Sequence, residues 1–263
     1  MAADLLTLLS PSNIVIFIMI FTRLAGMISS APLFSTYPIP AQAKIWLCAT
    51  VAFIIYPIIA KSTGIHVPTN MIELTIFLTK EFFIGFLIGY ITRFIFVAVQ
   101  IAGQTLGIQM GVTMGSVLDP TTNQDSPILG QIYVYITTIV FISINAHNWL
   151  FTAVYKSFTS IPPGLEMAFS PALVKQVIML FSHMFVISFQ VILPIFCVLL
   201  ISEVLMGFVA KMMPQMNIFM VALPFKIGIG FILILIFIAP TITYLAFAIE
   251  KYMAGIIRLF TGG

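Results

Sequence analysis

Six long runs of apolar residues dominate the sequence, and they decide what the chain can fold into. Read between their polar boundaries, the runs cover residues 12–31, 43–60, 72–102, 127–155, 173–210 and 219–256. A helix needs about 20 apolar residues to cross a bilayer. By this measure the run 43–60 is marginal, whereas the third, fifth and sixth runs exceed one crossing. We therefore expect an all-α fold built from long, bent hydrophobic helices.

Composition excludes a free soluble monomer. The apolar set AVILMFWYC makes up 61% of the chain and charged residues only 7%, against about 25% charged residues in a typical soluble domain. So little charge cannot cover the surface in water. The 11 basic residues form no run or stripe, which argues against a nucleic-acid partner. The run 12–31 follows no basic region and shows no cleavage signal, so we expect it to remain as an anchor.

Charged residues interrupt the apolar runs at Arg23, Lys80, Glu81, Arg93, Glu203 and Lys226. Each would be costly if it faced lipid. One interpretation is that those near helix ends extend their charged groups to the membrane surface. The other is that they face partner proteins or an aqueous lumen. We predict that Arg23, Glu81, Glu203 and Lys226 are buried or partner-facing, and that Glu203, with only Lys211 near it in sequence, pairs with a partner's charge.

Breakers divide the chain into segments. Turns are predicted at residues 35–40, 119–127, 161–164 and 212–215. Four prolines lie inside apolar runs, where each should end or kink a helix: Pro57, Pro194, Pro224 and Pro240. The runs 173–210 and 219–256, joined by the turn, read as a helical hairpin.

Four glycines recur at every fourth position: Gly103, Gly107, Gly111 and Gly115. On a helix this spacing makes a smooth groove beside the apolar ridge of Leu106, Met110, Met114 and Leu118. Each glycine costs about 1 kcal/mol of helix propensity relative to alanine. The segment is therefore either a static face for close helix packing or a deformable loop whose flexible methionines fill an irregular opening.

A second methionine cluster surrounds the predicted turn of the hairpin: Met206, Met212, Met213, Met216 and Met220. These side chains either fill the core or form a surface that faces a partner or a pore.

Residues that carry chemistry are sparse. His66, His147 and His183 lie far apart, with no H-E-x-x-H motif, no metal-type cysteine spacing and no phosphate-binding glycine loop. We expect no catalytic site, no metal and no cofactor.

Three stretches resemble the FliR family of the flagellar type III export apparatus. They are FTRLAGMISSAPLF (21–34), QMGVTMGSVLDPTTNQDSPILGQIY (109–133) and PQMNIFMVALPFKIGIGF (214–231), and they occur in the family's order. LGQ at 129–131 and LPFK at 223–226 are more similar to the flagellar branch than to the injectisome homologues.

The resemblance implies a non-enzymatic subunit of an export gate in the bacterial inner membrane, at the flagellar basal body. Such a chain joins FliP-like and FliQ-like subunits, and an FlhB-like subunit, in a helical hetero-oligomer that conducts unfolded flagellar proteins and also contacts lipid. Residues 1–172 would be FliP-like and residues 173–263 a FliQ-like hairpin. Most helices of such a gate pack against other subunits, outside the bilayer plane.

By position, the resemblance assigns residues 103–127 to a loop that projects into the channel and helps to close it. The matched positions are Gly111, Met114, Gly115, Asp119 and Pro120, and Gly103, Gly107 and Met110 belong to the same predicted gate loop. Pro214 and Asn217 match the hairpin turn.

The alternative is a small-solute transporter or a lipid-modifying membrane enzyme. A transporter of the inverted-repeat type should have two matching halves, and such an enzyme should have clustered His, Asp or Glu residues. The sequence has neither pattern.

Overall fold

The structure is a computed structural model, and it describes residues 11–36, 38–60, 68, 70–113, 128–163, 171–213, 215 and 218–261. Over these ranges the chain forms helices and no strand, which confirms the all-α prediction. The helices are α1 (Pro11–Ser30), α2 (Pro32–Ser35), α3 (Ala41–Ile59), α4 (Met71–Met110), α5 (Ile128–Ser143), α6 (Ala146–Ser160), α7 (Pro171–Met212) and α8 (Ile218–Thr261).

Three of these helices are far longer than a single perpendicular crossing requires. Helices α4, α7 and α8 contain 40, 42 and 44 residues. At about 1.5 Å per residue each extends for about 60 Å or more, roughly twice the apolar thickness of a bilayer. Five described helices are long and apolar enough to cross a membrane (α1, α3, α4, α7 and α8), or six spans if α5 and α6 together count as one.

The predicted single helix over 127–155 is wrong, because two helices occupy this region. Helices α5 and α6 meet at an angle of 69°. Between them Asn145 has a φ of 56°, in the left-handed region that asparagine tolerates better than most residues. Hydropathy did not indicate the bend because Asn145, His147 and Asn148 interrupt the apolar run only briefly.

The four internal prolines do not end their helices. Helix α3 continues through Pro57, α7 through Pro194, and α8 through Pro224 and Pro240. A proline removes one backbone hydrogen bond, and in membrane helices neighbouring groups can satisfy the carbonyl that is left free. The predicted turns at 35–40, 161–164 and 212–215 are non-helical where the structure describes them, apart from two helix ends: Ser35 is the last residue of α2 and Met212 the last of α7. Residues 119–127 lie outside the described residues.

The chain forms two compact units. The first contains residues 1–94, 145–181 and 251–263, and the second contains residues 95–144 and 182–250. These units are defined by spatial proximity alone. The predicted FliP-like part and FliQ-like hairpin have other boundaries than these units, and they stay a prediction.

In the first unit, glycines let α1 and α4 touch backbone to backbone. A Cβ atom added at Gly85 would overlap the carbonyl oxygen of Arg23, and one at Gly26 would overlap the carbonyl oxygen of Phe82. Gly89, one turn after Gly85, faces the Ser30 hydroxyl and the carbonyl oxygen of Met27 at similarly short distances. Small residues four apart are typical of close helix crossings in membranes.

This crossing also holds the chain's fully buried guanidinium. Arg23 Nε donates to Glu81 Oε2 at 2.5 Å, and its other nitrogens donate to Ser157 Oγ and to the carbonyl of Ile161, each at 3.0 Å. The guanidinium carbon lies 4.0 Å from the ring centroid of Phe158. Of the two roles predicted for Arg23 and Glu81, burial within the chain is what the structure supports, since both side chains are buried and paired.

Candidate functional site

The described start of the 103–127 segment lies in the second unit, where α4 packs on α5. A Cβ added at Gly103 would lie 2.6 Å from the carbonyl oxygen of Leu129 and 2.7 Å from the Cα of Gly130. A Cβ added at Gly107 would lie 3.7 Å from Leu129, which is ordinary contact. Gly103 therefore serves close helix packing, whereas the backbone at Gly107 has room for a methyl group.

Helix α4 ends at Met110, so the predicted glycine groove does not continue along one helix to Gly115. Gly111 has a φ of +79°, a conformation that glycine adopts without steric cost. Its N–H donates to the carbonyl of Ile108 at 3.0 Å, and Val112 N–H donates to the carbonyl of Gly107 at 3.0 Å. These two bonds form a Schellman motif, a common helix terminus with glycine in the left-handed position.

Met110, the last residue of α4, is fully buried. It lies against Gly230 of α8: a Cβ added there would be 2.5–2.7 Å from the Cε, Sδ and Cγ atoms of Met110. The methionine thus occupies space that any side chain at position 230 would need. Within this chain it is a packed residue, and its part in a seal stays a prediction.

Glu203 of α7 joins α4 to α8. Gln109 Nε2 donates to Glu203 Oε2 at 3.0 Å, and Lys226 Nζ lies 3.0 Å from Glu203 Oε1. Lys226, and not the sequence neighbour Lys211, is therefore the partner of the carboxylate. The Glu203 side chain is 54% exposed and that of Lys226 is 16% exposed. Burial of Glu203 within the chain is thus not observed, whereas a role that faces a partner stays a prediction.

Helices α7 and α8 run antiparallel in the second unit. Glu203 pairs with Lys226 near the turn, and Tyr244 donates a hydrogen bond to Gln190 farther from it. The predicted hairpin is present, with Met212 and Met220 flanking the turn at 82% and 76% exposure. These two methionines lie on the surface and not in the core of this chain.

Several predicted site residues lie outside the described part of the chain. They are Met114, Gly115, Asp119 and Pro120 of the predicted gate loop, and Pro214 and Asn217 of the hairpin turn. Their assigned roles stay predictions.

Sequence reasoning missed three contributors to the site: Gln109, Leu223 and Gly230. Gln109 is an ordinary polar residue near a helix end, and Leu223 is one leucine among many. Gly230 and Gly228 are indistinguishable in sequence, yet a Cβ at Gly228 would have no neighbour within 4 Å. Only the three-dimensional contact separates them.

The site can hold chain segments together, and its chemistry is that of packing and hydrogen bonding. Among the described residues no group of three or more His, Cys, Asp or Glu side chains is placed to bind a metal ion.

Comparison with known proteins places the chain in a class. Residues 14–252 match the family of bacterial export proteins, family 1, and the chain belongs to this family. It is similar to the flagellar biosynthetic protein FliR of Bacillus subtilis (strain 168), with 31% identity over 227 residues, or 84% of this chain and 85% of the relative.

Two further FliR proteins match over a similar length. That of Escherichia coli (strain K12) is 28% identical over 243 residues, or 89% of this chain and 90% of the relative. That of Aquifex aeolicus (strain VF5) is 25% identical over 225 residues, or 85% of this chain and 84% of the relative. The predicted FliR family is confirmed, and the chain is a component of the bacterial flagellar export apparatus, located in the inner membrane at the basal body.

The Schellman terminus makes Gly111 sensitive to substitution. Replacing Gly111 by Val should reduce export and complex yield, because a non-glycine residue in this conformation costs about 1–2 kcal/mol and the new side chain would also meet Leu223 Cδ2, 2.6 Å from an added Cβ. Motility and yield of the detergent-solubilised complex measure the effect. The controls lie outside residues 103–127: Ile54→Val on exposed α3, and Gly207→Ala on α7, where an added Cβ would meet none of the described residues within 4 Å. Both should stay near wild type. Normal motility and yield in Gly111→Val would refute the argument.

The Glu203 pair generates a second prediction. Glu203→Leu leaves the largely covered ammonium of Lys226 without its anion, which is unfavourable in an apolar setting, so complex yield should fall several-fold. Adding Lys226→Met to the same chain removes the orphaned charge and should recover part of the yield. Quantified co-purification from membranes measures both. A wild-type yield with Leu at position 203 alone would count against a paired role for this carboxylate.

Proposed function

We propose that this chain is a non-enzymatic subunit of a protein-conducting export gate, assembled with FliP-like and FliQ-like subunits and next to an FlhB-like subunit. Unfolded flagellar proteins would pass through the channel that these subunits enclose. Residues 1–172 would occupy a FliP-like place in the ring and the hairpin of residues 173–263 a FliQ-like place.

The exposed surface of α8 carries this proposal. Large apolar side chains are exposed along α8 from Met220 to Phe247, a longer stretch than one crossing, within a helix of 44 residues. Lipid can cover about 20 residues of such a helix. The remaining apolar surface needs a protein partner, because water would not solvate it favourably.

Glu203 supports the same conclusion. It lies nine residues before the end of α7, about 14 Å along the helix axis, among exposed apolar neighbours such as Val204 and Leu205. A half-exposed carboxylate at this position is costly against lipid. A neighbouring subunit, or water in an enclosed lumen, would solvate the open side of this ion pair.

A channel wide enough for an unfolded polypeptide needs a closure, or ions would leak. We assign part of that closure to residues 103–127. Met114 would supply an unbranched, flexible side chain suited to an irregular gap, and Met110, buried against Gly230, would hold the end of α4 beside it. Gly111 supports the assignment, because the Schellman motif at this residue ends α4 at a defined position, where a loop can begin.

Purification in a mild detergent followed by native mass measurement tests the assembly. The expected result is a complex that contains several copies of other small hydrophobic subunits. A solute transporter or lipid-modifying enzyme would instead purify alone or as a simple oligomer of this chain. That result would overturn the proposal.

The closure has its own test. Changing Met110 and Met114 to Ala together should leave the complex assembled while raising ion or solute entry several-fold, because truncation removes the flexible ends that fill the gap. Conductance or solute uptake is measured with complex yield in parallel. Met220→Ala, an exposed methionine outside the segment, is the matched control. An intact complex as tight as wild type would place the seal in partner subunits.

A further inference from the structure

Three consecutive residues, the last two of α4 and the glycine that follows them, each lie against the C-terminal hairpin within the second unit. Gln109 donates to Glu203, which also pairs with Lys226. Met110 lies against Gly230, and a Cβ at Gly111 would be 2.6 Å from Leu223 Cδ2. The C-terminal end of α4 is therefore held against α7 and α8.

The three contacts on α8 share one face of the helix. Leu223, Lys226 and Gly230 are separated by three and four residues, the spacing that stacks side chains on a single face. The polar contact lies between two apolar ones along this line. We call Leu223, Lys226 and Gly230 the seat.

Gly230 is the most specific element of the seat. Met110 is fully buried, and three of its side-chain atoms fill the volume that a Cβ at position 230 would require. At Gly228, two residues earlier on the same helix, a Cβ would meet nothing within 4 Å. Glycine is therefore required sterically at position 230, where Met110 occupies the space, but not at position 228.

We propose that the seat on α8 positions the end of α4, Gln109 and Met110, and Gly111 directly after it, with Gly230 as a positioning residue that receives Met110. This inference rests on the proposed closing role of residues 103–127. The Schellman terminus supports the proposal, because its two hydrogen bonds fix the backbone of Gly111 relative to the last turn of α4. A displacement of the seat would therefore also move Gly111, the first residue after α4.

Paired alanine substitutions test the positioning role in the assembled complex. Gly230→Ala should raise ion entry at least threefold and lower export, whereas Gly228→Ala, the same chemical change on the same helix, should match wild type. In a chain that already carries Met110→Ala, the added effect of Gly230→Ala should shrink, because the colliding atoms are gone. Such non-additivity is expected of residues in contact. Equal behaviour of the Gly230 and Gly228 variants would overturn the proposal if the methionine pair does alter permeability.

A crosslink tests the contact itself, whatever the closing role. With Cys48 and Cys197 replaced by Ser, the pair Met110→Cys and Gly230→Cys should form an intrachain disulfide on mild oxidation. The two Cβ atoms would lie close enough, because bridged cysteines have Cβ atoms about 3.5–4.5 Å apart. Met110→Cys with Gly228→Cys should stay reduced. Loss of free thiols, counted by alkylation and mass measurement, reports the bond.

The outcomes separate the two proposals. Absence of the disulfide in assembled complexes overturns the seat. A disulfide that forms but blocks export overturns it as a static positioning device, because the contact would then have to open. If the disulfide forms while neither the methionine pair nor Gly230→Ala changes permeability, the seat is present as a contact and the closing role of the segment fails.

Discussion

A guanidinium removed from solvent must keep an anion and hydrogen-bond acceptors around it, and the first unit is arranged around meeting this need for Arg23. The carboxylate comes from α4, the hydroxyl from α6 and the carbonyl from the residue after α6. Glu81 reaches Arg23 because Gly26 and Gly85 allow the two helix backbones to touch. The charge and the close crossing therefore depend on each other. Removing one partner from a buried pair typically costs about 3–5 kcal/mol.

The second unit meets the same constraint only in part. Its ion pair lies between α7 and α8 and is supported by Gln109, yet more than half of the Glu203 side chain is open. The Arg23–Glu81 pair is thus buried within the chain, whereas the Lys226–Glu203 pair leaves much of the Glu203 side chain exposed. This difference is what is expected if the first unit is a finished fold and the hairpin is a surface for assembly.

The sequence predicted much of this structure. The ends of the long helices α1, α3 and α7 agree to within two residues, since polar and proline-containing boundaries punctuate strongly apolar runs. Hydropathy missed the bend at Asn145, because this residue, His147 and Asn148 form too short a polar interruption to divide the long apolar run. For Glu203 the sequence showed only Lys211 nearby and predicted pairing with a partner's charge, whereas the return of α8 beside α7 brings in Lys226 from 23 positions away.

The glycines show the limit most clearly. Their spacing indicated a special segment, but whether a given glycine provides space or a left-handed backbone depends on its surroundings. Gly103 leaves space for the backbone of α5, and Gly111 adopts the left-handed conformation that ends α4. Gly107 does neither to the same degree. Family resemblance supplied the functional class, which composition and periodicity alone would have left as a membrane protein of unspecified role.

The lengths of α7 and α8 have a consequence for the life of a newly made copy. A bilayer covers about half of each helix, and water suits the rest poorly, so an unassembled copy has no environment that matches its whole length. Such orphan chains are natural substrates for membrane proteases and prone to aggregation, since exposed apolar surface drives both fates. We therefore expect the amount of this protein in a cell to follow the supply of the other export components that cover it, more than its own rate of synthesis.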